Sequence, residues 1–169
     1  MSDEIRIVVY GMPGPQGSKS FMGMRGGHAV LVESSKKVKP WRKAVCEACD
    51  EAKREYGFHP VPNVSLFTTF DGPLVARMVF TLPKPKSAPK RSRTWPDKKP
   101  DLSKLVRSTE DALTDAGIWA DDARAVEYSR AAKVFPGEDP EALDRPGCVI
   151  TVQRLGVEGA LAVLGQHGA

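Results

Sequence analysis

Long apolar runs are missing from this 169-residue sequence. No stretch approaches the roughly 18 residues that a membrane-spanning helix requires, and no basic, apolar, small-residue order resembles a signal peptide. A cytoplasmic protein without a membrane partner is the expectation. Cysteine is scarce: Cys46, Cys49 and Cys148 are too few, and odd in number, for a disulfide framework. Cys46 and Cys49 have the CxxC spacing of a zinc half-site, but a structural site needs four Cys or His ligands, usually in two close pairs. Cys148, His28, His59 and His167 are scattered singly, so a core role is expected for the cysteines. No histidine lies near the main acidic residues and no serine has triad partners, which removes the common routes to nucleophilic catalysis. A nucleotide-binding loop is lacking as well. Gly11-Met-Pro-Gly-Pro-Gln-Gly-Ser-Lys19 is glycine-rich, yet it does not follow GxxxxGK[ST] into a helix. A nucleotide cofactor is therefore rejected.

The composition is otherwise that of a folded domain, 41% apolar and 27% charged. The length suits one domain, placed over residues 1–155, with a small, apolar, loosely held tail over 156–169. Net charge is +4 and the isoelectric point about 9.0. Its distribution is more telling than its size. Lys84, Lys86, Lys90, Arg91, Arg93, Lys98 and Lys99 crowd one stretch that holds a single acid, Asp97. Between Gly137 and Asp144 the balance reverses. Local positive charge of this kind suits a surface facing phosphates.

Periodicity supplies the elements. Ile5 to Tyr10 is β-branched and reads as a strand, and a hairpin is expected around Gly26-Gly27. Pro40 can open a helix, in which Trp41, Val45, Ala48, Ala52 and Tyr56 make one stripe and Gly57 is the stop. Leu74, Ala76, Met78, Phe80 and Leu82 alternate along a half-buried strand. Lys84 to Pro100 is proline-rich and basic, an exposed arm. From Asp101 to Gly117, Leu102, Leu105, Val106, Thr109, Ala112, Leu113 and Ala116 share an apolar arc, with Lys104, Arg107, Ser108, Asp111 and Asp115 opposite. Asp101 stands at the N-cap position. A turn through Asp121-Asp122 precedes a strand over 123–134, an acidic loop and a last strand over 148–152, which puts Cys148 in the core. The fold expected is α+β, two layers, with a small, mostly antiparallel sheet packed against helices.

The chemistry concentrates between Lys99 and Val126. Carboxylates placed apart in sequence, as Asp101, Asp121 and Asp122 are, can converge on magnesium, which takes few carboxylate oxygens and keeps room for a phosphate. Phosphodiester hydrolysis is slow enough to need such help. Each acid also has an ordinary use: Asp101 as a cap, Asp111 and Asp115 as solvated helix charges, Asp121-Asp122 as a turn.

The same stretch resembles the signature of RusA-type Holliday junction resolvases. The shared features are an Asp-Leu helix start, a basic residue shortly after, Asp-Ala-Leu in the same helix, a Gly-x-Trp turn and Asp-Asp before a strand. The core of the resemblance covers about 35 residues, and the flanks agree more loosely through the N-terminal strand and the Pro-Gln-Gly-Ser-Lys turn. It implies a magnesium-dependent endonuclease, with manganese as a substitute ion, that nicks four-way DNA junctions as a homodimer in recombination and repair, in a bacterial or phage setting. It carries the metal acids onto Asp101 and Asp122, with Asp121 supporting, and the family's functional lysine onto Arg107. Lys19, Lys36, Lys37 and Lys104 join the basic arm as the expected DNA contacts. One departure matters: Ser103 replaces the family's second acid. Compensation by Asp111 or Glu110, weaker metal binding, or a branched-DNA-binding protein with an inactive site all remain open. Asp111, ten residues beyond Asp101, is about 15 Å away along a straight helix and cannot share an ion with it in one subunit.

Overall fold

The computed structural model describes residues 3–17, 19–26, 28–33, 36–56 and 67–156. Alternation of β-branched residues builds β1 (Glu4–Tyr10), which buries Ile5, Ile7 and Val9. β2 (Lys19–Arg25) and β3 (His28–Glu33) form a separate antiparallel hairpin, with Gly26 at a positive φ of 57° in its turn. The first helix, α1 (Val38–Glu55), starts slightly before the expected Pro40. It ends where the Tyr56 N–H donates to the Ala52 carbonyl at 2.9 Å, while Gly57, the expected stop, lies outside the described residues. Its buried stripe is Trp41, Val45, Cys49 and Ala52, with Ala48 at the flank.

β4 (Leu74–Thr81) is followed by the basic arm, α2 (Leu102–Asp115), a 3-10 turn at Asp122–Arg124, β5 (Ala125–Val134) and β6 (Gly147–Arg154). The main sheet has the order β1-β6-β4-β5. β6 pairs antiparallel with both β1 and β4, whereas β4 and β5 run parallel. A parallel pair needs a long crossover, and here the arm and α2 provide it. The fold is α+β, an open mixed sheet with two helices.

The core lies between the helices and one sheet face. Leu74, Ala76, Met78 and Phe80 meet Trp41, Val45, Leu105 and Leu113, all fully or almost fully buried. Each of the larger of these side chains contributes about 1.5–3 kcal/mol by leaving water. The Trp41 indole N–H is satisfied by Thr109 Oγ1 at 3.0 Å. Cys49 and Cys148 are part of this core, and burial pushes the Cys49 thiol up to about 12. On the opposite face the acidic loop folds back, its Leu143 N–H donating to the buried Thr81 Oγ1 at 2.8 Å.

Ser108 corrects the helical reading. Expected on the polar face of α2, it is fully buried. The reason is the loop before β2, which packs against that side of the helix. Ser108 Oγ lies 2.5 Å from the Gly14 carbonyl oxygen and 3.0 Å from that of Leu105. The same Gly14 also packs closely against the start of α1: a Cβ there would lie 2.2 Å from the Lys37 carbonyl oxygen and 2.9 Å from the Trp41 Cβ. Glycine in this loop therefore serves close packing. The described residues end at Gly156, so the expected tail lies outside them from residue 157 onward.

Candidate nucleic-acid interface

Asp101 sits directly before α2 with extended backbone (φ −69°, ψ 133°), as an N-cap would. Its side chain, however, makes no capping hydrogen bond. The carboxylate is instead half exposed, with Lys104 at 3.4 Å. Three elements fix its position. Lys133 of β5 donates to the carbonyls of Lys98 and Pro100 at 2.8 and 2.9 Å. The Gln16 N–H donates to the Lys104 carbonyl at 2.9 Å, and Ser108 ties the same loop to α2. The side chain, read in the sequence as a metal ligand or a cap, is thus presented to the surface from a fixed backbone.

The other two acids lie at the far end of the helix. Asp121 accepts from the Ala123 N–H at 2.9 Å and opens the 3-10 turn. Asp122 is exposed and lines a small hollow with Arg42, Asp111, Thr114 and Asp115. Arg42 of α1 bridges Asp111, at 3.3 Å, and Asp115. Beside them the Tyr128 hydroxyl donates to Glu110; burial, then this carboxylate, drives the phenol well above its ordinary pKa.

These positions separate the expected metal ligands. α2 has 14 residues, so its ends are about 21 Å apart. The convergence of Asp101 with Asp121 and Asp122 does not occur within one protomer, because the helix that joins them holds them apart. Among the described residues no group of three or more His, Cys, Asp or Glu is gathered to hold a metal ion. Within one protomer Asp101 and Asp122 therefore do not share a magnesium ion. Arg107 is exposed midway along α2, in no ion pair with a described residue, and Ser103 is exposed near its start.

The basic arm divides into two parts. Lys84 is held by Glu138 and by the Pro89 carbonyl at 2.7 Å, and Glu138 also accepts from Thr94. Arg93 pairs with Asp139 at 3.3 Å and lies 5.1 Å over the Trp95 ring. Lys84 and Arg93, both expected to contact DNA, are therefore bound to the acidic loop. The same loop takes Arg77 and Arg130 from the sheet through Glu141 and Asp139. These cations hold the Glu138, Asp139 and Glu141 carboxyls below the usual carboxylate range, chiefly by hydrogen bonds from Lys84, Arg130 and Arg77 respectively. Lys86, Lys90, Arg91, Lys98 and Lys99 are exposed and in no ion pair with a described residue. Lys36 and Lys37 are exposed at the start of α1, whereas the Lys19 side chain lies outside the described residues. A cleft of about 1060 Å³ runs between the Met12–Gly17 loop and the arm, ending at Asp101 and Lys104.

Arg42, Thr114, Tyr128 and Lys133 all shape this surface without having been singled out in the sequence. Only Arg42 and Tyr128 carried a signal, as polar residues set against buried stripes.

Comparison with known protein families gives the class first: the chain matches an endodeoxyribonuclease over residues 12–152. The family is Endodeoxyribonuclease RusA, and the chain belongs to it. No curated protein matches the sequence. The match spans the Met12–Gly17 loop, the arm, α2 and both groups of acids, so every surface described above lies within the family domain. Family membership makes the protein a nuclease that acts on DNA.

Proposed function

We propose that this chain is a magnesium-dependent endonuclease that nicks four-way DNA junctions during recombination and repair, and that its two active sites are completed across a homodimer. The observation that carries this reading is the order of charge along α2. Asp101, Lys104 and Arg107 occupy its first half; Asp111, Asp115 and then Asp121 and Asp122 follow. Laid antiparallel about a two-fold axis, two such helices match cation to anion. The same pairing brings Asp101 of one protomer to Asp122 of the other, and an isologous interface does this twice. Two sites suit two opposed nicks.

Magnesium, or manganese in its place, would supply hydroxide near neutral pH and neutralise charge on the reacting oxygens. The chain's own part is distinct. Asp101 and Asp122 provide exposed carboxylates, and Lys98, Lys99 and Lys86 hold phosphates without reading sequence. The expected result is symmetric nicking of a junction in magnesium and none in chelator, with Asp122→Asn abolishing nicking while binding persists. Nicking that survives Asp122→Asn would refute the site.

A second reading follows from Ser103, which supplies no negative charge where the resemblance asks for an acid. On that reading the protein binds branched DNA and cleaves under no divalent metal, and the same assay separates the two.

A further inference from the structure

We infer that the cleft between the Met12–Gly17 loop and the basic arm receives an unstacked nucleobase from the DNA strand that passes Asp101. This rests on the junction-nuclease reading above and extends it with a second point of contact.

Four observations meet in that cleft. Trp95 projects from the arm with 63% of its surface exposed, so it does not anchor the arm in the core. Its exposed indole offers a flat aromatic face for stacking. It is also held in place: Arg93 lies over the ring at 5.1 Å and is itself paired with Asp139. A backbone turn from the Asp97 N–H to the Trp95 carbonyl, at 2.9 Å, fixes the segment beside it. Across the cleft, Gln16 has a buried amide oxygen with no hydrogen-bond partner among the described residues. Its backbone is pinned to Lys104. A buried polar atom without a partner is costly, and Gln16 lines the same cleft. Lys98, Lys99, Lys37 and Lys104 give the rim a positive charge against Asp97 and Asp101.

An aromatic face beside a cationic rim makes up the parts of a single-strand pocket, and the Gln16 amide adds a polar wall. An apolar peptide would answer the indole but neither the amide nor the lysines. A bare phosphate would answer the lysines alone. A nucleobase with its own backbone answers all three. Its place beside Asp101 means that a base leaving the stack at a crossover would hold its phosphate next to that carboxylate.

The test is a binding cycle in chelator, where no strand is cut, using four-way junctions that each lack one base near the crossover. Trp95→Ala is expected to weaken binding of the intact junction by roughly tenfold to a hundredfold, with Trp95→Phe recovering most of it and Gln16→Ala giving a smaller loss. At one position the abasic junction should weaken the wild-type protein to a similar extent yet leave Trp95→Ala unaffected. If the two losses multiply at every position, the cleft holds no base. If the wild-type chain binds junctions no better than duplex, the junction reading itself falls, and this proposal with it.

Discussion

Mixing two inactive variants should restore nicking that neither possesses alone. Asp101→Asn and Asp122→Asn each remove a carboxylate from one end of α2, whose 14 residues keep those ends about 21 Å apart. If each site combines Asp101 of one protomer with Asp122 of the other, both homodimers are dead at both sites. A mixed dimer is different. One of its sites collects both substitutions, and the other collects neither. Random reassociation of equal amounts makes about half the dimers mixed, each with one intact site of two, so nicking should return to about one quarter of the wild-type level. The products should also be single nicks rather than paired ones, because only one site per dimer works. Nicking of an end-labelled four-way junction reads both quantities, and exchange of a size-tagged subunit confirms that mixed dimers have formed. Site residues drawn from a single protomer would leave every protomer broken. A mixture that stays inactive after demonstrated exchange therefore refutes the two-protomer site.

Three further outcomes follow from the geometry. Replacing Lys98 and Lys99 together by Met should reduce the slope of log affinity against log salt by about 0.9 for each DNA phosphate that is no longer neutralised, measured by anisotropy titration. Lys84→Met should leave that slope unchanged, since Glu138 already holds this cation. Ser108→Ala should cost about 1–3 kcal/mol in urea unfolding, because it removes a buried hydrogen-bonding group and leaves the Gly14 carbonyl without its partner; a change of a few tenths would contradict the buried hydrogen bond. The acidic loop predicts a pH effect of definite sign. Asp139 and Glu141 have folded pKa values below their ordinary ones, through Arg130 and Arg77 respectively. Their stabilisation is therefore complete above the ordinary carboxylate values of about 4 and is lost as pH falls through the lower folded values. Melting temperature should decline over that acid range, and Asp139→Asn should make the decline shallower.

Much of this fold was legible because periodicity reports burial. The alternation from Leu74 to Leu82 marked one face of β4, and the final strand correctly put Cys148 inside. Period alone carries no partner or direction, so the parallel pairing of β4 with β5 was not readable. Ser108 was misplaced for a related reason. A helical wheel separates polar from apolar residues, but a loop some 90 residues earlier supplies a carbonyl that lets a serine be buried. The two blocks of opposite charge were plain in the sequence; that Glu138 and Asp139 would pair with Lys84 and Arg93 depended on the loop folding back across the sheet. The separation of the acids was within reach. The helical rise that keeps Asp111 from Asp101 applies with more force to Asp122, which lies beyond the end of the same helix.

The charges on α2 are better explained by a second helix than by the first. A helix gains from acids in its first turn and cations in its last, by about 0.3–1 kcal/mol each. α2 has neither: Lys104 lies in its first turn, Asp115 at its end, and no basic residue in its last. Arg42 offsets Asp111 and Asp115 but is one cation for two anions, with Asp122 adjoining the same hollow. In an antiparallel pair centred near Thr109, Arg107 would face Asp111 of the other protomer and Lys104 would face Asp115, which relieves the imbalance in both halves at once. A planar fork meets a carboxylate bidentately, as it does a phosphate, so arginine in place of the family's lysine is compatible with an ion pair across such an interface.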